Sequence, residues 1–190
     1  MIAHFFLSFS SVTSETVGDC YVAITGCPNS QSDHAIRMLR FARESLIKTS
    51  KVIADMASSA TSNANAAATR SLQLRIGMHS GPTTAGVLRG DKGRFQLFGD
   101  TVNTAARMES NGEPGKIHFS AHTARTLRRQ GVGLNTMEPR ETDIEVKGKG
   151  TMATFFAVLP STRSTAWSSG RSASSEDHDS VPAVLDESSS

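Results

Sequence analysis

The sequence predicts an α/β chain of the α+β sandwich kind, a mixed and largely antiparallel sheet flanked by helices, and three stretches carry that expectation. Residues 94–108 pack a short strand-like run, a Gly-Asp turn and a helix start into one segment. Residues 16–26 read as a hairpin, with Gly18-Asp19 at the turn and Tyr21, Val22 and Ile24 in strand positions. From Asp33 onward Ala35, Ile36, Met38, Leu39, Ala42, Leu46 and Ile53 are spaced for a helix with one apolar face against a sheet.

In the organising stretch, Phe95, Leu97 and Phe98 suit a buried strand, Gly99 breaks it, and Asp100 or Thr101 can cap a helix whose inner face begins at Val102. Asn103 and Arg107, four residues apart, fall on one helical face, expected near the positive end of the helix. An amide and a guanidinium there, beside unsatisfied backbone N–H groups, are the donors that can hold a phosphate while charge develops on it. A solvated helix face is the plainer reading of the same pair.

The remaining elements follow in order. Between 57 and 71 the chain turns to Ala, Ser, Asn and Thr without periodicity, which reads as a helix end and a flexible insertion. Residues 72–78 form a strand, His79-Ser-Gly-Pro82 a turn, and Arg89-Gly-Asp-Lys-Gly-Arg94 a solvated Gly-rich loop without Walker spacing. The His79-Ser80 pair is no hydrolase signature, because adjacent strand residues point to opposite faces and no nucleophile elbow accompanies them. Gly112 and Pro114 mark a turn, 116–119 a strand, and Ser120 caps a helix carrying Ala121, Ala124 and Leu127 that closes near Gly131. Residues 132–142 read as a loop, and 144–147 and 154–159 as two strands joined through Gly148-Lys-Gly150. His118 and His122 have no partners in metal-ligand spacing.

A chain of 190 residues with 37% hydrophobic and 20% charged residues can bury the core of one globular domain. The net charge of +2 argues neither for nor against nucleic acid, and no nucleic-acid partner is expected. Cys20 and Cys27 read as reduced core thiols rather than a disulfide or metal framework, which indicates a cytoplasmic setting. The apolar start, residues 1–10, is too short to span a bilayer and lacks the basic region of a signal peptide. From Ser161 the sequence is Ser-rich with an acidic cluster at Glu176-Asp-His-Asp179, so 161–190 is expected to be a disordered tail.

Four ordered blocks, Glu15-Thr-Val-Gly-Asp-Cys-Tyr21, Leu74-Arg-Ile-Gly-Met-His-Ser-Gly-Pro82, Phe98-Gly-Asp-Thr-Val-Asn-Thr-Ala-Ala-Arg-Met-Glu-Ser110 and Glu145-Val-Lys-Gly-Lys-Gly150, resemble the class III nucleotidyl cyclase catalytic domain, the family of guanylate and adenylate cyclases. The resemblance covers 14–160 and leaves 1–13 without a matching motif. It implies a ferredoxin-like cyclase fold lacking its first strand and helix, since nothing here matches the family segment that supplies them together with one metal-binding aspartate. It also implies cytoplasmic location, directly or through a membrane-anchored parent protein.

The resemblance further implies roles for six residues. Asp19 matches a metal-binding aspartate for Mg²⁺ or Mn²⁺, hard cations that take carboxylate and phosphate oxygens. Asn103 would orient the ribose, Arg107 stabilise charge on the transferring phosphate, and Lys147 bind the terminal phosphates as a point charge. Glu15 falls where guanylate cyclases carry a glutamate facing the guanine edge, and its carboxylate accepts from N1–H and N2–H where adenine offers an acceptor instead. Gln96 stands where guanylate cyclases carry Cys and adenylate cyclases Asp, and its amide can serve either base. Together these imply a guanylate cyclase, GTP more than ATP, acting as a homodimer or a heterodimer with another cyclase domain and sharing sites across the interface. The alternatives are a catalytically inactive cyclase-like partner or regulatory subunit, and an adenylate cyclase.

Overall fold

The computed structural model describes residues 12–17, 20–88, 94–146 and 148–159. Strands β1 (Val12–Val17) and β2 (Cys20–Thr25) pair antiparallel, Val12 opposite Thr25 and Val17 opposite Cys20, so the hairpin expected over 16–26 is present but begins earlier, and its expected Gly18-Asp19 turn lies outside the described residues. Helix α1 (His34–Ser58) follows. Its N-cap Asp33 makes no side-chain cap; the carboxylate instead accepts from Arg37 Nε at 2.7 Å. The face carrying Ala35, Ala42 and Leu46 packs on Leu74, Met78, Ile117, Phe119 and Leu127, the centre of the core.

The stretch read as an irregular insertion contains helix α2 (Asn63–Arg70), where Ser62 Oγ accepts from Asn65 N at 3.2 Å. A Ser N-cap and an Ala run suffice for two turns where periodicity is silent, because Ala needs no apolar face to favour a helix.

The main sheet has four strands in the order β3-β6-β10-β7. β6 (Ile117–Ser120), wholly buried, pairs parallel with β3 (Ile76–Met78) and antiparallel with β10 (Thr154–Ala157), which in turn pairs antiparallel with β7 (Met137–Pro139). Two further hairpins stand apart: β4 (Thr84–Leu88) with β5 (Arg94–Phe98), and β8 (Ile144–Val146) with β9 (Gly150–Met152). Helices α3 (Asp100–Ser110) and α4 (Ala121–Arg129) complete the layers. Ser120 caps α4 by accepting from Thr123 N at 3.3 Å, and Gly131 ends it at φ 91°, both as the sequence predicts.

Several strand boundaries differ from expectation. Only 76–78 of the 72–78 run is strand, and the small residues from Thr84 onward, to which the sequence assigns no element, form β4. The region read as a loop holds a 3-10 turn at Leu134–Thr136 and then β7, an edge strand too short to show alternation. The two C-terminal strands are three: the Gly-Lys-Gly hairpin returns as β9, and β10 is a separate strand bound to β6. Phe98, expected in a buried strand, is 43% exposed, while Leu97 is partly buried. The β4–β5 hairpin is joined to no other strand among the described residues.

Candidate functional site

Helix α3 is the element on which the predicted site is built, and a close approach fixes its position. A Cβ on Gly77 of β3 would lie 2.0 Å from the backbone nitrogen of Glu109, so the strand meets the helix backbone with no room for a side chain. Arg75 Nε donates to Glu109 Oε1 at 2.9 Å beside this contact. The helix begins at Gly99, whose φ of 126° is a conformation for glycine, not at a capping carboxylate. Asp100 is the first helical residue, and Thr101 Oγ1 donates to Pro82 O at 2.6 Å instead of capping. The inner face is Thr101, Thr104 and Met108, one position earlier than Val102.

With those three inward, Asn103 and Arg107 point outward together, both exposed. Neither side chain has a hydrogen bond or ion pair to another described residue, so amide and guanidinium face solvent as available donors. One expectation is corrected: Arg107 lies in the last turn of α3, not near its positive end. In an 11-residue helix a step of four crosses from the first half to the second, so Asn103 lies nearer the unsatisfied backbone N–H groups of the first turn and Arg107 lies at the opposite end of the dipole.

Gln96 is half-buried in β5, opposite Gly86 of β4 and on the strand leading directly into α3. Glu15 lies in β1 opposite Val22, with its side chain outside the described residues. Asp19 and Lys147 also lie outside them. The structure therefore brings Asn103 and Arg107 onto one face and puts Gln96 on the preceding strand. Among the described residues no three His, Cys, Asp or Glu side chains gather as metal ligands, so the divalent-cation expectation rests on Asp19.

Sequence reasoning missed the contact that holds the β8–β9 hairpin on this helix. Ile144, Val146 and Met152 pack on Met108, and Lys149 Nζ forms an ion pair with Asp100 at the first turn of α3. Lys149 had the appearance of a solvated turn lysine; its side chain is only 28% exposed. The β8–β9 hairpin is thus tied to the helix bearing Asn103 and Arg107 at both an apolar and an ionic point. A Lys two residues after the motif lysine, paired with an acidic first-turn residue far along the chain, gives no local signal.

The adjacent His79-Ser80 pair is structural. His79 Nδ1 lies 2.6 Å from Ser120 Oγ, and burial, reinforced by the charges of Lys149 and His122, pushes its pKa down to about 4. Ser80 is buried and donates its backbone N–H to Thr123 Oγ1 at 2.9 Å. This arrangement ties the end of β3 to the α4 cap and offers no nucleophile and base.

Known proteins resemble this chain over most of its length. The family model described as "Adenylate and Guanylate cyclase catalytic domain" matches residues 7–158. The chain is 40% identical over 144 residues to guanylate cyclase soluble subunit beta-2 of Rattus norvegicus, covering 76% of this chain and 19% of that protein. It is 38% identical over 149 residues to the receptor-type guanylate cyclase gcy-28 of Caenorhabditis elegans, covering 78% of this chain and 11% of that protein. It thus spans a fifth or less of these relatives. The guanylate cyclase domain of RhGC from Catenaria anguillulae, solved in complex with GTP, superposes with a TM-score of 0.59 at 38% identity, covering 78% of this chain and 72% of that one. The adenylyl cyclase CyaB of P. aeruginosa shares the fold, with a TM-score of 0.61 at 24% identity over 80% of this chain and 73% of its own. The family model covers most of the chain, and the chain belongs to the adenylate and guanylate cyclase catalytic-domain family.

Proposed function

We propose that this domain takes part in converting GTP to cyclic GMP and pyrophosphate. The ribose 3′-oxygen attacks the α-phosphorus, the bond from that phosphorus to the α,β-bridging oxygen breaks, pyrophosphate leaves, and the 3′-hydroxyl proton is lost to solvent. The observation that carries this reading is the joint exposure of Asn103 and Arg107 on one face of α3, without side-chain partners among the described residues. In it Asn103 orients the ribose and Arg107 stabilises charge on the transferring phosphate. Lys147 holds the β,γ-phosphates, and Glu15 with Gln96 reads the base. Asp19 would carry Mg²⁺ or Mn²⁺, which when bound neutralises phosphate charge.

Guanine is favoured over adenine because Glu15 can accept from both guanine hydrogens, while Gln96 is neutral between the bases. The resemblance to guanylate cyclases supports this choice, and a related catalytic core with converted specificity was solved with ATPalphaS. A dimer, with itself or with another cyclase domain, is part of the proposal; a related fungal guanylyl cyclase domain is described as a non-canonical dimer.

A second reading rests on the sequence match: of the metal-binding aspartates that the family carries, only Asp19 is matched within residues 1–190. In it the chain contributes Asn103, Arg107 and Lys147 to a site whose metal-binding carboxylates belong to a partner cyclase domain. One experiment separates the two: cyclic GMP formation from GTP with Mg²⁺ or Mn²⁺, by the purified chain alone and mixed with a cyclase domain whose own Asn and Arg equivalents are removed. Activity alone supports the first reading and activity only in the mixture the second. No activity in either, together with no GTP binding, overturns both.

A further inference from the structure

Asp100 is the acidic residue of the first turn of α3, and it stands on the stripe that carries Asn103 and Arg107. Positions 100, 103 and 107 are separated by steps of three and four, so they share one helical face. Asn103 and Arg107 are exposed on that face, and the Asp100 side chain is 70% exposed. A carboxylate at this end suits the macrodipole, yet it offsets the positive field that draws an anion to a helix start. A step of three places its Cβ about 5–6 Å from that of Asn103. A triphosphate lying along this face would therefore meet a like charge.

The countercharge comes from far along the chain. Lys149, between β8 and β9, places its Nζ in an ion pair with Asp100. Its backbone is fixed independently of that pair, because Lys149 N donates to Val146 O at 2.8 Å and the hairpin packs through Ile144, Val146 and Met152 on Met108 of the same helix. The ammonium is thus delivered to Asp100 by a hairpin already docked on α3, which limits the conformational freedom lost in pairing. His79, whose ring also senses both charges, is neutral at pH 7, since burial and the charges of Lys149 and His122 hold its pKa at about 4. The cation paired with Asp100 is Lys149.

We propose that Lys149 is a positioning residue for nucleotide binding, neutralising Asp100 so that the face of Asn103 and Arg107 accepts a triphosphate. The role rests on the GTP reading above and adds to it a pair that acts on the nucleotide by charge, through Asp100, without touching phosphate. Charges superpose, so loss of Lys149 and loss of Asp100 should shift affinity in opposite directions and cancel when combined. A purely structural tie between hairpin and helix would instead make either loss harmful.

The test is the dissociation constant of 3′-deoxy-GTP, which lacks the attacking hydroxyl and cannot cyclise, measured on the full chain with Mg²⁺. Lys149→Met, which keeps the apolar stem, should weaken binding by about 3- to 10-fold at an ionic strength of about 0.02 M, and by less at about 0.15 M, where charge is screened. Asp100→Asn should tighten binding, and the double variant should return to within about twofold of the parent. A Lys149→Met chain that binds like the parent overturns the proposal, as does an Asp100→Asn chain that binds no tighter. A double variant as weak as Lys149→Met alone also overturns it, and makes Lys149 a direct phosphate contact. If Lys149→Met does not fold, the direction of the Asp100→Asn shift decides. A parent chain that binds no 3′-deoxy-GTP removes the GTP reading and this role with it, whereas a parent that binds with variants that do not follow the pattern removes the role alone.

Discussion

Arg107 and Asn103 are exposed on the same helix face, yet substitution should affect them differently. On the proposed reaction the guanidinium of Arg107 would gain most as charge builds on the phosphate, so in an active assembly Arg107→Ala should lower kcat by roughly 100-fold or more with little change in KM. Steady-state kinetics check this, and an unchanged kcat would make Arg107 an ordinary surface residue. Base choice belongs to the same scale. Glu15→Lys replaces acceptors with donors that oppose the guanine hydrogens, and Gln96→Asp supplies an acceptor for the adenine amine. The double variant should shift the ratio of kcat/KM values from GTP towards ATP. An unchanged ratio would remove Glu15 from base recognition.

At the scale of elements, local chemistry was legible wherever it was self-contained. The Gly99 break, the Ser120 cap, the Gly131 stop and the β1–β2 hairpin follow from single residues or short patterns, and all are present. What escaped the sequence depends on partners distant along the chain. β7 pairs with β10, Lys149 is paired with Asp100, and Phe98 is exposed on a hairpin that no other strand joins among the described residues. Within the candidate site the Asn103–Arg107 face could be read from helical period alone, whereas its docking could not, since Gly77 shows its purpose only against Glu109. Gly77→Ala should therefore cost about 1–3 kcal/mol or more through overpacking against backbone that cannot yield. Gly86, with open space around its Cβ position, should accept Ala within about 0.5 kcal/mol. Urea midpoints of the two variants measure the contrast, and equal midpoints would mean that the strand–helix approach is not a constraint.

At the scale of the molecule, two histidines sit where layers are joined, and this couples the stability of the domain to pH. His118, fully buried, bridges three elements: Nδ1 lies 2.7 Å from Met108 O in α3, and Nε2 lies 2.8 Å from Thr154 Oγ1 in β10. Burial lowers its pKa, as it does for His79, whose value falls from 6.5 to about 4. The sign follows from proton uptake. Between pH 6.5 and about 4 the unfolded chain holds a proton at position 79 that the folded chain lacks, so acidification draws the equilibrium towards unfolding. The stabilisation is fully present above pH 6.5, declines through this window and, for this group, does not change further below about 4. His79→Gln keeps hydrogen-bonding capacity towards Ser120 without a titrating ring. Urea unfolding at pH 7 and at pH 5 should then show a smaller loss of stability in the variant than in the parent. Equal losses in the two proteins would mean that the acid sensitivity lies elsewhere, with His118 and its contacts between α3 and β10 as the next position to substitute.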